Sequence, residues 1–144
     1  MARKRRRKKL VLYIDGASHG NPGPAGYGVV IADEKGTVLR ELGGSLGIAT
    51  NNVAEYGALL RALEEARLLG ADEIEVYTDS ELLARQIEGR YAVKSPHLWP
   101  LYREAKEALG GFRAYRLVRI SREENGRADA LANRGAAEAE AQGL

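Results

Sequence analysis

Cysteine is absent from the sequence, and its absence excludes several classes of protein. Disulfide-stabilised scaffolds, cysteine-based zinc sites, iron–sulfur clusters and cysteine nucleophiles all require a thiol. The chain also has no run of about 18 apolar residues, the length that a membrane-spanning helix needs, nor does it begin with the pattern of a secretory signal peptide. We therefore expect a cytoplasmic protein that does not bind membranes.

The composition is that of one folded domain. Of 144 residues, 44% are hydrophobic and 29% are charged. A disordered chain would have too little apolar side chain to offset the entropy lost on ordering, and two full-size domains would need a longer chain. We expect residues 10–137 to form the domain, residues 138–144 to form a C-terminal tail, and the protein to be a monomer.

Basic residues are concentrated at the N-terminus. Arg3 to Lys9 hold seven of the 22 basic residues, and the remaining 15 face 20 acidic residues, so the rest of the chain carries a net charge of −5. We assign residues 1–9 to a flexible basic arm. It is either a solvated tail or a segment that attracts polyanions such as nucleic acid, and the sequence leaves both open.

Apolar segments alternate with turn and capping residues in a pattern that predicts five strands and four helices. The predicted strands are residues 10–14, 27–32, 37–42, 73–78 and 112–120. The predicted helices are residues 50–69, 79–89, 95–109 and 125–137. Three strands precede the first long helix, and strands then alternate with helices, so we expect a mixed sheet covered by helices.

Two aspartates, Asp15 and Asp79, each come at the end of an apolar strand. If those strands are parallel neighbours, both carboxylates lie at the sheet edge where α/β proteins bind ligands. Two ionised carboxylates at short range repel each other, and a divalent cation removes that conflict. Either aspartate alone could simply cap a turn or a helix, but their matching positions favour a functional pair.

Glu55 and Asp129 extend this set. Glu55 begins a helical row that continues through Leu59, Ala62 and Ala66, and Asp129 heads a similar row one turn into the last helix. A buried carboxylate is costly without a partner, although the helix N-terminus could itself stabilise it. Four carboxylates from four elements predict a cluster, and oxygen-only ligands suit Mg²⁺ or Mn²⁺ rather than zinc.

Five glycines lie between Gly16 and Gly28, close to Asp15. The segment leads into a strand, unlike a dinucleotide-binding fingerprint, and it lacks the Gly-Lys-Ser/Thr of a P-loop. Its surface, poor in side chains, would let a ligand backbone approach closely. An irregular hairpin connection would explain the glycines equally well.

Four segments, in their order and spacing, resemble the type 1 ribonuclease H family. They are residues 13–26 (YIDGASHGNPGPAG), 50–56 (TNNVAEY), 77–80 (YTDS) and 125–133 (NGRADALAN). Each segment alone is a weak signal, whereas the ordered set of four is highly specific. The resemblance covers the chain from about Leu10 to Ala137.

The resemblance implies an α/β fold with a five-stranded mixed sheet, in the order 3-2-1-4-5, flanked by helices. It also implies an endonuclease that cleaves the RNA strand of RNA/DNA hybrids and leaves 3′-hydroxyl and 5′-phosphate ends. Two Mg²⁺ ions, for which Mn²⁺ can substitute, would flank the scissile phosphate. By position in the motifs, the catalytic and metal-binding residues would be Asp15, Glu55, Asp79 and Asp129.

The resemblance further assigns contacts that distinguish the hybrid from other nucleic acids. In the family, these contacts touch the 2′-hydroxyl groups and the minor groove, and Thr50 matches a residue that contacts a DNA-strand phosphate. Because 2′-hydroxyl groups carry no sequence information, we expect little base specificity. The positions of this chain that match the 2′-hydroxyl and minor-groove contacts of the family are Gly16, Ser18, Asn21, Asn51 and Asn52.

Three features depart from the family pattern. Many members have a histidine in the loop before the last helix, but residues 120–125 contain none; Arg122 is the nearest auxiliary candidate, and it could equally be a surface arginine. Ile48 stands where an arginine often precedes the phosphate contact. The extra basic helix–loop of some bacterial members is absent, and the basic arm could compensate for it electrostatically.

Two other functions remain open at this point. A nuclease of the same fold could also cut double-stranded RNA, which shares the A-form geometry. The chain could also be a non-catalytic module that binds hybrids, although such a module has no need of four carboxylates. Neither His19 nor His97 is given a ligand role, and Trp99 is predicted to lie in the helix core, with base stacking as the alternative.

Overall fold

The computed structural model describes residues 8–143, so the predicted basic arm lies outside it except for Lys8 and Lys9. The strands are β1 (Lys9–Ser18), β2 (Gly23–Asp33), β3 (Val38–Ala49), β4 (Glu73–Thr78) and β5 (Ala114–Arg119). The helices are α1 (Asn51–Leu68), α2 (Glu81–Ile87), α3 (Trp99–Leu109) and α4 (Gly126–Gln142). A short 3₁₀ turn, Glu123–Asn125, leads into α4.

The five strands form one mixed sheet in the order β3-β2-β1-β4-β5. β1 pairs antiparallel with β2 and parallel with β4, and β5 is parallel to β4. The order 3-2-1-4-5 implied by the resemblance is therefore confirmed. It puts β1 and β4 side by side in the middle of the sheet, with their carboxyl ends at one edge.

Helices cover the two faces of the sheet. On one face α1 packs over β1 and β2, and α3 packs against α1; there Leu12 and Ile14 of β1 are fully buried. On the other face α4 packs mainly over β2 and β3. Gly26 and Gly28 of β2 permit this contact, because a Cβ on either would overlap the α4 backbone. The close packing brings the first turn of α4 to the edge where β1 and β4 end.

The first two strands are longer than the sequence predicts. β2 begins at Gly23 rather than near Tyr27, because the glycine-rich segment is itself paired: Ala25 is opposite Ser18 of β1 and Gly47 of β3. What the sequence indicated as an irregular connection is therefore mostly strand. The turn between β1 and β2 is correspondingly short, and it lies close to the end of β1.

Two predictions about helices are wrong. α4 continues to Gln142 rather than ending at Ala137, so residues 138–142 of the predicted C-terminal tail are helical, and Ala139 is buried in the additional turn. Trp99 is 48% exposed rather than part of the helix core, and its ring stacks on Tyr102 with 5.6 Å between the ring centroids. Within residues 8–143, no helix is long and apolar enough to cross a membrane.

Candidate active site

The two central strands place Asp15 and Asp79 side by side. Tyr13 of β1 pairs with Tyr77 of β4 in parallel register, and each aspartate follows two residues later. Since both strands run in the same direction, both aspartates lie at the same edge of the sheet. Asp15 is 4% exposed, whereas Asp79 is half-buried.

Two helices bring further carboxylates to this edge. Thr50 caps α1 by accepting a hydrogen bond from the backbone N–H of Val53 at 3.2 Å. Glu55 follows within α1 and is 8% exposed. Gly16 allows α1 to come this close, because a Cβ there would overlap the backbone of the helix. Asp129 lies in the first turn of α4.

Three of the four carboxylates form a compact cluster. One oxygen from each of Asp15, Glu55 and Asp79 lies within 4.8 Å of the others. Asp129 lines the same cavity, of about 510 Å³. The other lining residues are Gly16, Ala17, Ser18, His19, Asn51, Asn52, Ser80, Arg122 and Asn133.

Burial and mutual repulsion perturb the acidic groups. Burial, followed by the negative charge of Asp79, raises the pKa of Asp15 to about 8. Burial, followed by the charge of Asp15, raises the pKa of Glu55 well above its usual range. These directions mean that the fully ionised cluster is unfavourable at neutral pH unless a positive charge joins it.

The donor set fits a divalent cation. No Lys or Arg within residues 8–143 forms an ion pair with Asp15, Glu55 or Asp79. Oε2 of Glu55 is buried and has no hydrogen-bond partner in that part of the chain, so a buried acceptor is left unsatisfied. Clustered carboxylate oxygens are ligands that Mg²⁺ and Mn²⁺ prefer. The residues are therefore of the right kind to hold such an ion.

Hydrogen bonds join the β1–β2 turn to the start of α1 along one rim of the cavity. The backbone N–H of Ser18 donates to Oδ1 of Asn51, and the backbone N–H of Asn51 donates to Oδ1 of Asn21, both at 2.9 Å. Four of the six predicted substrate contacts border the carboxylate cavity, namely Gly16, Ser18, Asn51 and Asn52. The network therefore fixes this rim relative to the carboxylates.

The other two predicted substrate contacts lie in a neighbouring groove. Asn21 and Thr50, together with Asn52, line a second cavity of about 680 Å³. Ile48 lines it too and is 66% exposed, so an apolar side chain occupies the wall where the family often has an arginine. Arg122 borders the carboxylate cavity instead.

The structure gives contacts to two residues of the 125–133 motif to which the sequence alone assigned no role. Asn133 donates from Nδ2 to the backbone carbonyl of Asp129 at 2.9 Å, and its Oδ1 is 3.1 Å from Nε2 of His19. Its spacing of four residues from Asp129 could have indicated this position. Asn125, directly before α4, makes no capping bond with its side chain and instead donates to Oδ2 of Asp79 at 3.1 Å.

Comparison with known proteins identifies the family. A family model described as reverse transcriptase-like matches residues 13–135. RNase H1 from the halophilic archaeon Halobacterium salinarum is similar over 90% of this chain and 98% of that one, with a TM-score of 0.88 and 42% identity. The chain belongs to the type 1 ribonuclease H family. The motifs that resemble this family were therefore interpreted correctly.

Other members of the ribonuclease H family have the same architecture. The N-terminal RNase H domain of Rv2228c from Mycobacterium tuberculosis matches 95% of this chain and 99% of that one, with a TM-score of 0.92 and 43% identity. LC11-RNase H1, solved in complex with an RNA/DNA hybrid, matches 90% of this chain and 98% of that one, with a TM-score of 0.85 and 45% identity.

The curated relatives are longer than the segment that aligns with this chain. The bifunctional protein Rv2228c of Mycobacterium tuberculosis is 46% identical over 126 residues, which cover 87% of this chain and 35% of that protein. Ribonuclease HI of Halobacterium salinarum is 46% identical over 121 residues, which cover 84% of this chain and 61% of that protein. The chain thus spans about a third of the first relative and three-fifths of the second.

Proposed function

We propose that this chain is an endonuclease that hydrolyses the RNA strand of RNA/DNA hybrids and leaves 3′-hydroxyl and 5′-phosphate ends. The observation that carries the proposal is the cluster of Asp15, Glu55 and Asp79 within 4.8 Å, with Asp129 in the same cavity. Membership of the ribonuclease H family supports the reaction. A hybrid bound to the related LC11-RNase H1 supports the substrate.

The four carboxylates are the proposed metal ligands, with Mg²⁺ as the expected ion and Mn²⁺ as a substitute. When held by these carboxylates, a pair of such ions would activate the attacking water and stabilise the leaving 3′ oxygen. Asp15 and Glu55 lie at the buried side of the site, whereas Asp79 and Asp129 are half-buried. The more exposed pair is therefore the one that a phosphodiester would approach.

The rims of the cavity would select the substrate. Hydroxyl, amide and backbone groups can both donate to and accept from a 2′-hydroxyl, which is the group that distinguishes RNA from DNA. Thr50 in the neighbouring groove would contact a phosphate of the DNA strand, and Arg122, which borders the carboxylate cavity, is the auxiliary candidate. The residues proposed to contact the 2′-hydroxyl groups and the minor groove are Gly16, Ser18, Asn21, Asn51 and Asn52.

The decisive experiment compares three end-labelled duplexes of one sequence: RNA/DNA hybrid, double-stranded RNA and double-stranded DNA. We expect Mg²⁺-dependent cleavage of the hybrid, confined to its RNA strand and abolished by EDTA. Equal cleavage of double-stranded RNA would instead identify a broader A-form nuclease. Hybrid binding without cleavage at any Mg²⁺ or Mn²⁺ concentration would leave a binding module and refute the enzyme.

A further inference from the structure

Asn125 lies where three of the carboxylate-bearing segments meet. Its side chain is 1% exposed, and Nδ2 donates to the backbone carbonyl of Ile14 at 2.8 Å and to Oδ2 of Asp79 at 3.1 Å. Ile14 directly precedes Asp15, and Asn125 itself lies four residues before Asp129. One amide group therefore links β1, at the residue before Asp15, with the residue after β4 and the start of α4.

We propose that Asn125 is a positioning residue that holds the carboxylate of Asp79 in the orientation needed to bind a divalent cation. The proposal rests on the metal-dependent function proposed above. Asn125 is not itself a ligand in this account. It acts through Asp79 and through the end of β1, so its effect is on metal affinity.

The hydrogen bonds of Asn125 are not those of an ordinary helix cap. An asparagine before a helix normally accepts a hydrogen bond from a backbone N–H in the first turn. Here the side chain makes no capping bond, and Oδ1 is buried without a hydrogen-bond partner among residues 8–143. Capping would not require a buried unpaired oxygen. The hydrogen bonds that the side chain does make all go to the edge of the sheet.

The neighbours of Asn125 dictate which way its amide points. The carbonyl of Ile14 and the ionised carboxylate of Asp79 can only accept hydrogen bonds, so the reversed amide would put Oδ1 against two acceptors. Nδ2 carries two hydrogens, one for each acceptor. The bond to Asp79 engages Oδ2, which leaves Oδ1 of that carboxylate for a cation.

A neutral amide suits this task better than a basic side chain would. Groups that hydrogen-bond to metal ligands fix ligand orientation, and their loss typically costs about 10- to 100-fold in metal affinity or activity. A lysine or arginine at this position would cancel negative charge that the cation needs. The amide orients Asp79 and leaves its charge unchanged.

The test measures Mn²⁺ binding without substrate, by isothermal titration calorimetry, for the wild type, Asn125→Ala and the control Gln86→Ala. Gln86 is a matched buried amide: it is 3% exposed, accepts a hydrogen bond from the Tyr56 hydroxyl at 2.7 Å and lies outside the cavity. We expect about tenfold weaker binding for Asn125→Ala and wild-type affinity for Gln86→Ala. Unchanged affinity in Asn125→Ala, or an equal loss in Gln86→Ala, would overturn the positioning role.

A second measurement needs no variant and covers the case in which Asn125→Ala does not fold. In ¹H–¹⁵N spectra of the wild type titrated with Mg²⁺, the side-chain amide signals of Asn125 should shift while those of Gln86 stay in place. A stationary Asn125 signal under saturating Mg²⁺ would refute the proposal.

The positioning role and the enzymatic function fail in distinguishable ways. A wild type that binds Mn²⁺ more tightly than Asn125→Ala but cuts no hybrid supports the positioning role and refutes the nuclease. If the wild type cuts hybrids and Asn125→Ala binds the metal equally well, the nuclease is supported and the positioning role is refuted. A wild type that binds no divalent cation refutes both.

Discussion

Asp15 and Asp79 are neighbours because Tyr13 and Tyr77, two residues earlier in each strand, are paired in the parallel register of β1 and β4. The two tyrosine rings are also in contact, with 5.0 Å between their centroids. The register fixes the backbone positions of both aspartates, which cannot move apart without disturbing the centre of the sheet. Their repulsion is therefore built into the fold, and a bound cation is the simplest relief.

Replacing Asp79 by asparagine should abolish hybrid cleavage and preserve hybrid binding. The amide keeps the size of the side chain but removes a metal-binding charge, and loss of a ligand should cost at least as much as loss of a group that orients one, about 100-fold or more in rate. Cleavage of a labelled hybrid gives the rate, and binding in Ca²⁺ gives the affinity. Cleavage at the wild-type rate in Asp79→Asn would remove the carboxylate cluster from the mechanism.

Replacing Asp15 by asparagine should stabilise the protein in the absence of metal. The raised pKa of Asp15 means that its ionised form is disfavoured in the folded state, by burial first and by Asp79 second. Removing that charge should raise the melting temperature in EDTA by a few degrees, since about 1 kcal/mol shifts Tm by that amount in a domain of this size. Calorimetry or thermal fluorescence measures the shift.

The same melting experiment, repeated with added Mg²⁺, separates repulsion from other effects of Asp15→Asn. The wild type should gain stability from Mg²⁺ because binding to the folded state lowers its free energy, and the variant should gain less. Glu34→Gln is the control, because Glu34 is exposed in the β2–β3 turn and its replacement should change stability by less than about 0.5 kcal/mol. A lower Tm for Asp15→Asn in EDTA would contradict the electrostatic account.

Gly16→Ala should disturb the site more than an alanine elsewhere would. The added Cβ would overlap the backbone of α1 at Ala54 and Glu55, so the helix that carries Glu55 would have to move. Overpacking of this kind costs about 1–3 kcal/mol. Gly126→Ala is the matched control: apart from its chain neighbours and the backbone of α4, no heavy atom of the described residues lies within 4 Å of the added Cβ. In α4 the change should be neutral or stabilising by up to about 1 kcal/mol.

Denaturant unfolding measures both glycine variants on one scale, and the Mg²⁺ dependence of hybrid cleavage reports the site. Gly16→Ala should lose stability and need more Mg²⁺ for half-maximal cleavage, because the carboxylate of Glu55 is displaced from those of Asp15 and Asp79. Equal stability of Gly16→Ala and Gly126→Ala would show that the close approach of α1 to β1 is not needed.

The cluster of carboxylates could be predicted because each member lies at a position that local rules define. Asp79 directly follows β4, and Asp15 comes at the end of the apolar part of β1, although that strand continues to Ser18. Glu55 heads the row Leu59, Ala62 and Ala66, whose members are all buried. Strand direction and helical periodicity are properties of single segments, so the sequence carries them. The meeting of these segments at one edge of the sheet follows from the parallel direction of β1 and β4.

The residues that the sequence did not reveal depend on contacts between distant segments. In the sequence, Asn125 looks like an ordinary polar residue at a helix start, and Asn133 like one on a helix surface. The partner of Asn125 is Asp79, 46 residues away, and the partner of Asn133 is His19, 114 residues away. The pairing of the glycine-rich segment was missed for a similar reason, because glycine has low strand propensity and the close packing of α4 overrides it.

We predict that the basic arm contributes to substrate affinity rather than to chemistry, and the structure shows which residues a truncation can remove. Lys9 belongs to β1 and pairs with Glu75 at 3.0 Å, and the backbone N–H of Lys8 donates to Oδ2 of Asp72 at 2.9 Å. Removing residues 1–9 would therefore damage the sheet, whereas removing residues 1–7 takes away five basic residues and leaves β1 intact.

Truncation of residues 1–7 should weaken hybrid binding and make it less sensitive to salt. Each phosphate contact that is lost should flatten the slope of log affinity against log salt concentration by about 0.7–0.9, because fewer counterions are released on binding. A full-length variant with the five basic residues of this segment replaced by serine controls for chain length and should behave like the truncation. If affinity and slope stay at wild-type values in both, the arm makes no contact with the nucleic acid, and the groove and cavity rims alone must supply the binding energy.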